Sequence, residues 1–496
     1  MPTSNRVVTV TGVNGKTVTL VNLTIQHGYA KDTVGDGPGL DNGGGMLVDN
    51  QLGGILIAEN CVFQNNMAVG KGGGVYSSGV NTFMNCSFTD NSNSDADQGD
   101  GGGAYGNWGT VFEGSTFTGN SAGDQGGGCY IDTLTLINDC VFEDNYATDD
   151  GGGAKLQDST SVCTNSTFTD NDALDNGGAL YVYGGRVENC HFEADSCGDD
   201  GGAVMLDNGG FISNCTFTLN YSVDKGGGLN IASGTATDVE VYNNTGGDHG
   251  GGVYVNNDGV LKNSTISNNY AGDDGGGIMI DDPSGIVDNC IITGNESFDH
   301  GGGVFNDDGT LKNSTITGNL CGNDGGGVAV DEILGLGENC VISGNESVDH
   351  AGGVMIQAGR VVNCVIDGNH SGDDGGGVRG NGTWMVTNSI LYGNTSTVND
   401  ENNVSVNTNT KAVSVNYCAL DSVGHGLTTE IANSIQLDAS PFVGGTGSDS
   451  LLLLPGSAPI DAGTLTDSVY LWVVSDLLPE NDIDGNPRVA HSVVDL

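Results

Sequence analysis

Ten aspartates recur at near-constant spacing just before a run of glycines: Asp124, Asp149, Asp175, Asp199, Asp224, Asp248, Asp273, Asp299, Asp349 and Asp373, with Asn323 interrupting the row. If the chain coils with that same repeat, these carboxylates stack within about 5 Å of one another along one edge. Like charges so close destabilise each other unless they are bridged or screened. A hard divalent cation is the natural bridge, because Ca2+ accepts carboxylate and carbonyl oxygens in adaptable geometry. The plainer alternative is a solvated acidic rim. The next position alternates between imidazole and carboxylate: His249, Asp274, His300, Asp324, His350, Asp374. Each central histidine then lies between two acids, which favours the imidazolium and gives a charge-compensated ladder. A row of transition-metal sites is the sharper alternative, since His and Asp both ligate zinc and similar ions. The expected metal set is the aspartate row with Asp274, Asp324 and Asp374, and Ca2+ is the expected ion. The repeat places no serine or cysteine nucleophile beside a His-Asp pair.

A second set follows the glycines. Tyr76, Tyr105, Tyr130, Tyr181, Tyr254 and Phe305 occupy an outward position of one strand, together with Lys155, Met205, Asn230, Met279, Met355 and Arg379. Exposed aromatics beside an acidic rim can stack sugar rings or dock a partner; cross-strand packing explains them equally well. The thirteen cysteines divide similarly. Eight, with Cys418 as a ninth, fall on an inward row of small residues, where free thiols behave as small hydrophobes. Cys61 with Cys86, Cys190 with Cys215, and Cys340 with Cys364 sit in adjacent repeats, at a spacing that also permits disulfides. No Cys-x-x-Cys occurs, so zinc-ribbon, haem and thioredoxin signals are absent.

The elements that must position these residues follow from the period. Asn-small-x-(Phe/Ile)-x-x-Asn recurs along most of the chain, its small residue at Cys61, Cys86, Ser115, Cys140, Ser166, Cys190, Cys215, Val239, Ser264, Cys290, Ser314, Cys340, Cys364 and Ser389. Two places later stands Phe63, Phe88, Phe117, Phe142, Phe168, Phe192, Phe217, then Val241 and a run of isoleucines from Ile266. The closing asparagines, among them Asn120, Asn145, Asn171, Asn220 and Asn244, are expected to hydrogen-bond along the stack. Between these units lies Gly-Gly-Gly-(Val/Ala/Ile), followed by alternation such as Val253-Tyr254-Val255, the period-two mark of a half-buried strand. Turn residues such as Asp307-Asp308-Gly309 break each unit again. Several short strands in about 25 residues define an all-β fold: a right-handed, single-stranded parallel β-helix, a solenoid of about 15 coils. Fixed register also excludes disorder, the first expectation for so acidic and glycine-rich a chain.

Composition bounds the function. The 496 residues carry 63 Asp and Glu against 13 Lys and Arg, a formal net charge of -50. Nucleic acid is excluded as a natural partner, because phosphate binding needs clustered basic residues. Anionic lipid is disfavoured for the same reason. No apolar stretch approaches the length of a membrane helix; Leu451 to Leu454 is far too short.

The paired marks, Gly-Gly-Gly-Val/Ala/Ile with Phe/Ile-x-x-Asn over residues 20–395, resemble the repeats of bacterial polymorphic outer-membrane adhesins. The end of the chain resembles secreted β-helix proteins of the choice-of-anchor Q type, through Gly456-Ser457-Ala458-Pro459-Ile460-Asp461-Ala462-Gly463, Asp482-Ile483-Asp484-Gly485-Asn486-Pro487-Arg488 and Val494-Asp495. Those proteins usually have Ser-Pro-Ala where this chain has Ser-Ala-Pro, and continue past the final Val-Asp with a Gly-Ala-x-Glu stretch. The resemblance implies a secreted or surface-exposed bacterial β-helix. It transfers no catalytic residue, since such families mix adhesins with polysaccharide enzymes.

The expected organisation is repeats over 1–395, with irregular last coils and a C-terminal cap over 396–496. Strands begin at once and no signal segment precedes them, which suggests a fragment of a longer exported protein. Two function classes remain. One is a calcium-stiffened structural or adhesion module, with polysaccharide or a surface protein as partner; regular ladders favour it, because an active site interrupts a repeat locally. The other is a polysaccharide lyase, hydrolase or epimerase. A lyase on uronates needs a base beside a cation, and only Lys155, Lys225 and Arg379 lie near the acidic rim. End-to-end assembly into a filament is a third role.

Overall fold

A computed structural model describes residues 5–11, 15–31, 41–50, 53–397, 402–406, 412–416, 418–421, 431–432, 434–436, 489–490 and 493–494. The chain is an all-β parallel solenoid of about 14 turns with about 25 residues per turn. One turn shows how the sequence sets the backbone. It carries four strands: Cys129–Ile131, Leu136–Asn138, Val141–Glu143 and Tyr146–Ala147. Asp139 and Asp144 take left-handed conformations (φ 53 and 54) at the corners before Cys140 and Asn145, a conformation that Asn and Asp tolerate best among residues with a Cβ. The repeat's opening asparagine is therefore a corner residue in coil after coil, as at Asn85, Asn165 and Asn289.

The glycine triplet has two separate causes. Gly126 is left-handed, with φ 67. Gly127 is excluded from carrying a side chain by the next turn, and Gly128 is crowded by it. A Cβ on Gly127 would lie 2.2 Å from the Gly152 carbonyl oxygen and 2.4 Å from that of Tyr146, and one on Gly128 would lie 2.6 Å from that of Gly153. Ala351 stands at the first position with φ 57, and Ala179 and Ala203 at the third, fully buried.

The chain divides into two compact units, Met1–Gly247 with Gly252–Tyr254, and Asp248–Gly251 with Val255–Leu496. In the first, Phe63, Phe88, Phe117, Phe142, Phe168, Phe192 and Phe217 stack with centroids 4.5–5.0 Å apart. All seven are fully buried, each contributing on the order of 2–3 kcal/mol of apolar transfer. In the second, the equivalent column is Ile266, Ile292, Ile316, Ile342, Ile366 and Leu391, paired residue for residue between parallel strands.

Beside this column runs an amide ladder. Asn120 Nδ2 donates to Asn145 Oδ1 at 2.9 Å and to the Phe88 carbonyl at 2.9 Å, while the Asn120 main-chain N–H donates to the same Asn145 Oδ1 at 3.1 Å. The arrangement repeats through Asn145, Asn319, Asn345 and Asn369. All thirteen cysteines are free and buried. A thiol–thiol contact joins Cys163 and Cys190, with Sγ atoms 3.9 Å apart, a pair drawn from two different strand columns. The expected pairs also meet, in part main chain to thiol: Cys190 N–H to Cys215 Sγ and Cys340 N–H to Cys364 Sγ, each at 3.4 Å.

The motif stretches 456–463 and 482–488, with Leu451–Leu454 and Trp472, lie outside the described residues, and so does most of the expected cap. Val489–Ala490 and Val493–Val494 form a short antiparallel pair. No helix among the described residues is long and apolar enough to cross a membrane.

Candidate cation-binding edge

The aspartates before the glycine triplet are held in register by their own main chains. In the first unit, N–H groups of Asp149, Asp175, Asp199 and Asp224 donate to the carbonyls of Asp124, Asp149, Asp175 and Asp199 at 2.9–3.2 Å. In the second, Asp273, Asp299, Asn323, Asp349 and Asp373 repeat the pattern from Asp248 onward. The next position is locked too: Gly250, Gly275, Gly301, Gly325 and Ala351 donate to the carbonyls of Asp274, His300, Asp324, His350 and Asp374. Main-chain bonding thus fixes two parallel columns of ionisable side chains, one repeat apart per step.

The electrostatics follow from that stacking. Burial, then the charges of Asp100 and Asp149, push the Asp124 carboxyl up to about 6. Burial does the same for Asp200, reinforced by Asp199 and Asp224 and opposed by Lys225, to about 6. Asp324 also reaches about 6, mainly by burial. Asp175, Asp273, Asp373 and Asp374 are raised, with burial the first cause in each. The edge therefore holds carboxylates at a cost, as carboxylates without enough positive charge must.

The histidines lie between acids. His249 has Nε2 3.7 Å from Asp248 Oδ2 and Nδ1 3.9 Å from Asp274 Oδ2. His300 Nδ1 is 3.1 Å from Asp274 Oδ1 and 3.4 Å from Asp299 Oδ2. The hydrogen bond to Asp274 raises the His300 pKa against the effect of burial. His350 Nδ1 lies 3.0 Å from Asp374 Oδ1 and 3.6 Å from Asp373 Oδ2, and its Nε2 lies 3.6 Å from Asp349 Oδ2. Nδ1 of both His249 and His350 is buried without a hydrogen-bond partner.

Three groups of one histidine and two aspartates bring their ligand atoms within 4.8 Å of one another: Asp248/His249/Asp273, Asp274/Asp299/His300 and Asp324/Asp349/His350. An all-oxygen group, Asp199/Asp200/Asp224, does so in the first unit. Asp124, Asp149 and Asp175 stack in the row but form no such group, and neither do Asp373 and Asp374. A further group, Asp307/Asp331/Glu332, lies after the first strand of its coils. There burial and the charges of Asp331 and Asp281 raise Asp307 to about 6. Sequence reasoning took Asp307-Asp308-Gly309 only as a turn. The signal was the recurrence of acidic pairs, Asp281-Asp282, Asp307-Asp308 and Asp331-Glu332, at the coil period.

The aromatic row departs from expectation in exposure. Tyr105, Tyr130, Tyr254 and Phe305 are only 2–9% exposed, and Tyr76 and Tyr181 are half-buried. Three of the rings lie flat on one another: Tyr76 on Tyr105 and Tyr105 on Tyr130, both at 5.2 Å. Cations cover the stack. Lys71 Nζ sits 4.5 Å from the Tyr105 centroid, Lys155 4.1 Å from that of Tyr181, and Lys225 5.2 Å from that of Tyr254. The row is outward from the core, but Tyr105, between two rings and beneath Lys71, offers no open face for a sugar. The same contacts place the basic residues. Lys155 Nζ pairs with Asp150 Oδ2 at 2.9 Å and Arg379 Nε with Asp374 Oδ1 at 3.2 Å.

Fold and edge together define a parallel β-helix. Residues 7–193 match the family model described as "Right handed beta helix region". Among solved structures, the chain is similar to a mutant of the periplasmic alginate epimerase AlgG, at 11% identity over 73% of this chain and 77% of that one, with a TM-score of 0.28. It is also similar to a mutant of the tailspike protein of E. coli bacteriophage HK620 in complex with pentasaccharide, at 14% identity over 84% of this chain and 71% of that one, with a TM-score of 0.30. No protein of curated function matches the sequence.

Proposed function

We propose that the protein is a secreted or cell-surface structural and adhesive module, a β-helical scaffold whose aspartate edge takes up divalent cations. The observation that carries this reading is the pair of main-chain-locked columns, where burial first and neighbouring carboxylates second raise the pKa values of several acids. A bound cation relieves that repulsion. The two units suit different ions. Asp199, Asp200 and Asp224 offer oxygen only, which suits Ca2+. The histidine groups of the second unit add an imidazole, which calcium uses poorly and zinc-like ions accept. Buried Nδ1 atoms of His249 and His350 that make no hydrogen bond fit an ion-accepting edge. Its partner is a polysaccharide or a surface protein.

The test is thermal unfolding after exhaustive chelation, repeated with Ca2+, Zn2+, Mg2+ and matched monovalent salt. Binding to the folded state alone raises the melting temperature with ion concentration. A calcium- or zinc-specific rise is expected, and an equal rise with monovalent salt would reduce the edge to a screened acidic face. The enzyme alternative rests on one observation: Asp307, raised to about 6 by burial and the charges of Asp331 and Asp281, lies within 4.8 Å of Asp331 and Glu332, and a carboxyl held protonated near neutral pH can serve as a general acid. Release of reducing sugar from a polysaccharide panel, abolished by Asp307→Asn, would favour it over the scaffold.

A further inference from the structure

The amide ladder of the first unit contains one acid. Asp195 stands where every neighbouring coil has asparagine, between Asn171 and Asn220, and is fully buried. Its Oδ1 accepts from Asn171 Nδ2 at 2.8 Å and from the Asn171 main-chain N–H at 2.9 Å, and its own main-chain N–H donates to Asn220 Oδ1 at 2.9 Å. So far it imitates asparagine atom for atom. The other oxygen cannot. Its Oδ2 is buried without a hydrogen-bond partner. At the equivalent place each asparagine has an Nδ2 that donates twice: Asn171 Nδ2 donates to Asp195 Oδ1 and to the Phe142 carbonyl, and Asn220 Nδ2 to Asn244 Oδ1 and to the Phe192 carbonyl. By that repeat, Asp195 Oδ2 faces the Phe168 carbonyl and Asn220 Oδ1, which are both acceptors. A carboxylate there would set a buried charge against two lone pairs. A carboxylic acid supplies the donor that the position requires.

We propose that Asp195 is held as a neutral carboxylic acid whose hydroxyl completes the ladder, and that loss of this proton is a pH-operated break in the first unit. The electrostatic surroundings agree. Asn171 and Asn220 on either side are neutral. Asp170, at the preceding corner, opposes ionisation through its charge, while the hydrogen bonds from Asn171 and from the Glu193 main chain favour the ionised form and are outweighed by burial. Burial is the largest cause and raises the carboxyl to about 8. Because the folded value lies above the unfolded one, the group stabilises most below about 4. That contribution falls as pH rises and is gone above about 8. The Asn120, Asn145 and Asn369 rungs carry no such dependence. One acid therefore gives a single level of the coil a pH response that the rest of the ladder lacks.

The test is Asp195→Asn, which restores the ladder's own residue. The difference in melting temperature between variant and wild type should be near zero at about pH 4. It should grow to roughly 4 °C or more by about pH 8 and stay flat above. The infrared carbonyl band of a protonated carboxylic acid should be present in the wild type near neutral pH and absent in the variant. Amide exchange at Asn171 and Asp195 should accelerate above about pH 8 in the wild type only, after correction for intrinsic rates. A pH-independent difference, a variant less stable than wild type at about pH 8, or wild type lacking the protonated-acid band would each overturn the proposal.

Discussion

Asp200→Asn isolates the cost of the acidic edge. Asp200 rises from an ordinary 3.8 to about 6, with burial first among the causes. A shift of about two units corresponds to ~3 kcal/mol of penalty on the charged form. The side chain is half-buried, and screening at such a position reduces this to ~1 kcal/mol. The sign follows from linkage: with the folded value above the unfolded one, stability is complete below 3.8 and is lost as pH rises through about 6. Asparagine already occupies the same position one coil earlier, at Asn176, and its amide oxygen can still accept from the Lys225 N–H, now 3.2 Å from Asp200 Oδ1. In chelator at about pH 7.5, Asp200→Asn should stabilise the first unit by ~1 kcal/mol, measured by urea or thermal unfolding. At about pH 4 the gain should vanish. With calcium present it should shrink or reverse, because the variant has lost a ligand. Destabilisation in chelator, or an equal gain at both pH values, would refute the electrostatic account of the edge.

Two further outcomes follow from the same contacts. Because Asp274 raises the His300 pKa, stability contributed by His300 is lost as pH rises through a value above 6.5; His300→Gln should flatten the unfolding profile of the second unit between about pH 6 and 8, at a cost of ~0.5–1 kcal/mol at the acid end. Gly127→Ala should cost on the order of 3 kcal/mol or more, or leave the protein insoluble, because the new Cβ would lie 2.2 Å from a carbonyl oxygen of the next turn. Gly126→Asn, at φ 67 and with its new Cβ 2.7 Å from the Cys129 carbonyl oxygen, should cost less than Gly127→Ala, because Ala351 already carries a Cβ at that position of a later coil; circular dichroism melts of the two variants would check the contrast.

The sequence by itself determined the architecture, because a period is a one-dimensional property that coiling converts directly into contact. Residues one repeat apart must stack, so the Phe and Ile column, the asparagine ladder, the inward thiols and the aspartate edge were all legible from Cys61 onward without coordinates. Alternation after the glycines likewise told inside from outside. What tertiary structure alone decided is whatever depends on neighbours off the column. Outward placement of Tyr105 and Tyr130 did not mean exposure, because Lys71 and the adjacent rings cover them. The thiol contact joined Cys163 to Cys190 across two strand columns. The second and third glycines of each triplet answer to carbonyls of the following turn. Asp195 was visible only as a gap in the asparagine row. That its missing amide must be replaced by a proton follows from the acceptors facing it inside a dry core, and spacing along the chain does not encode which atoms face each other there.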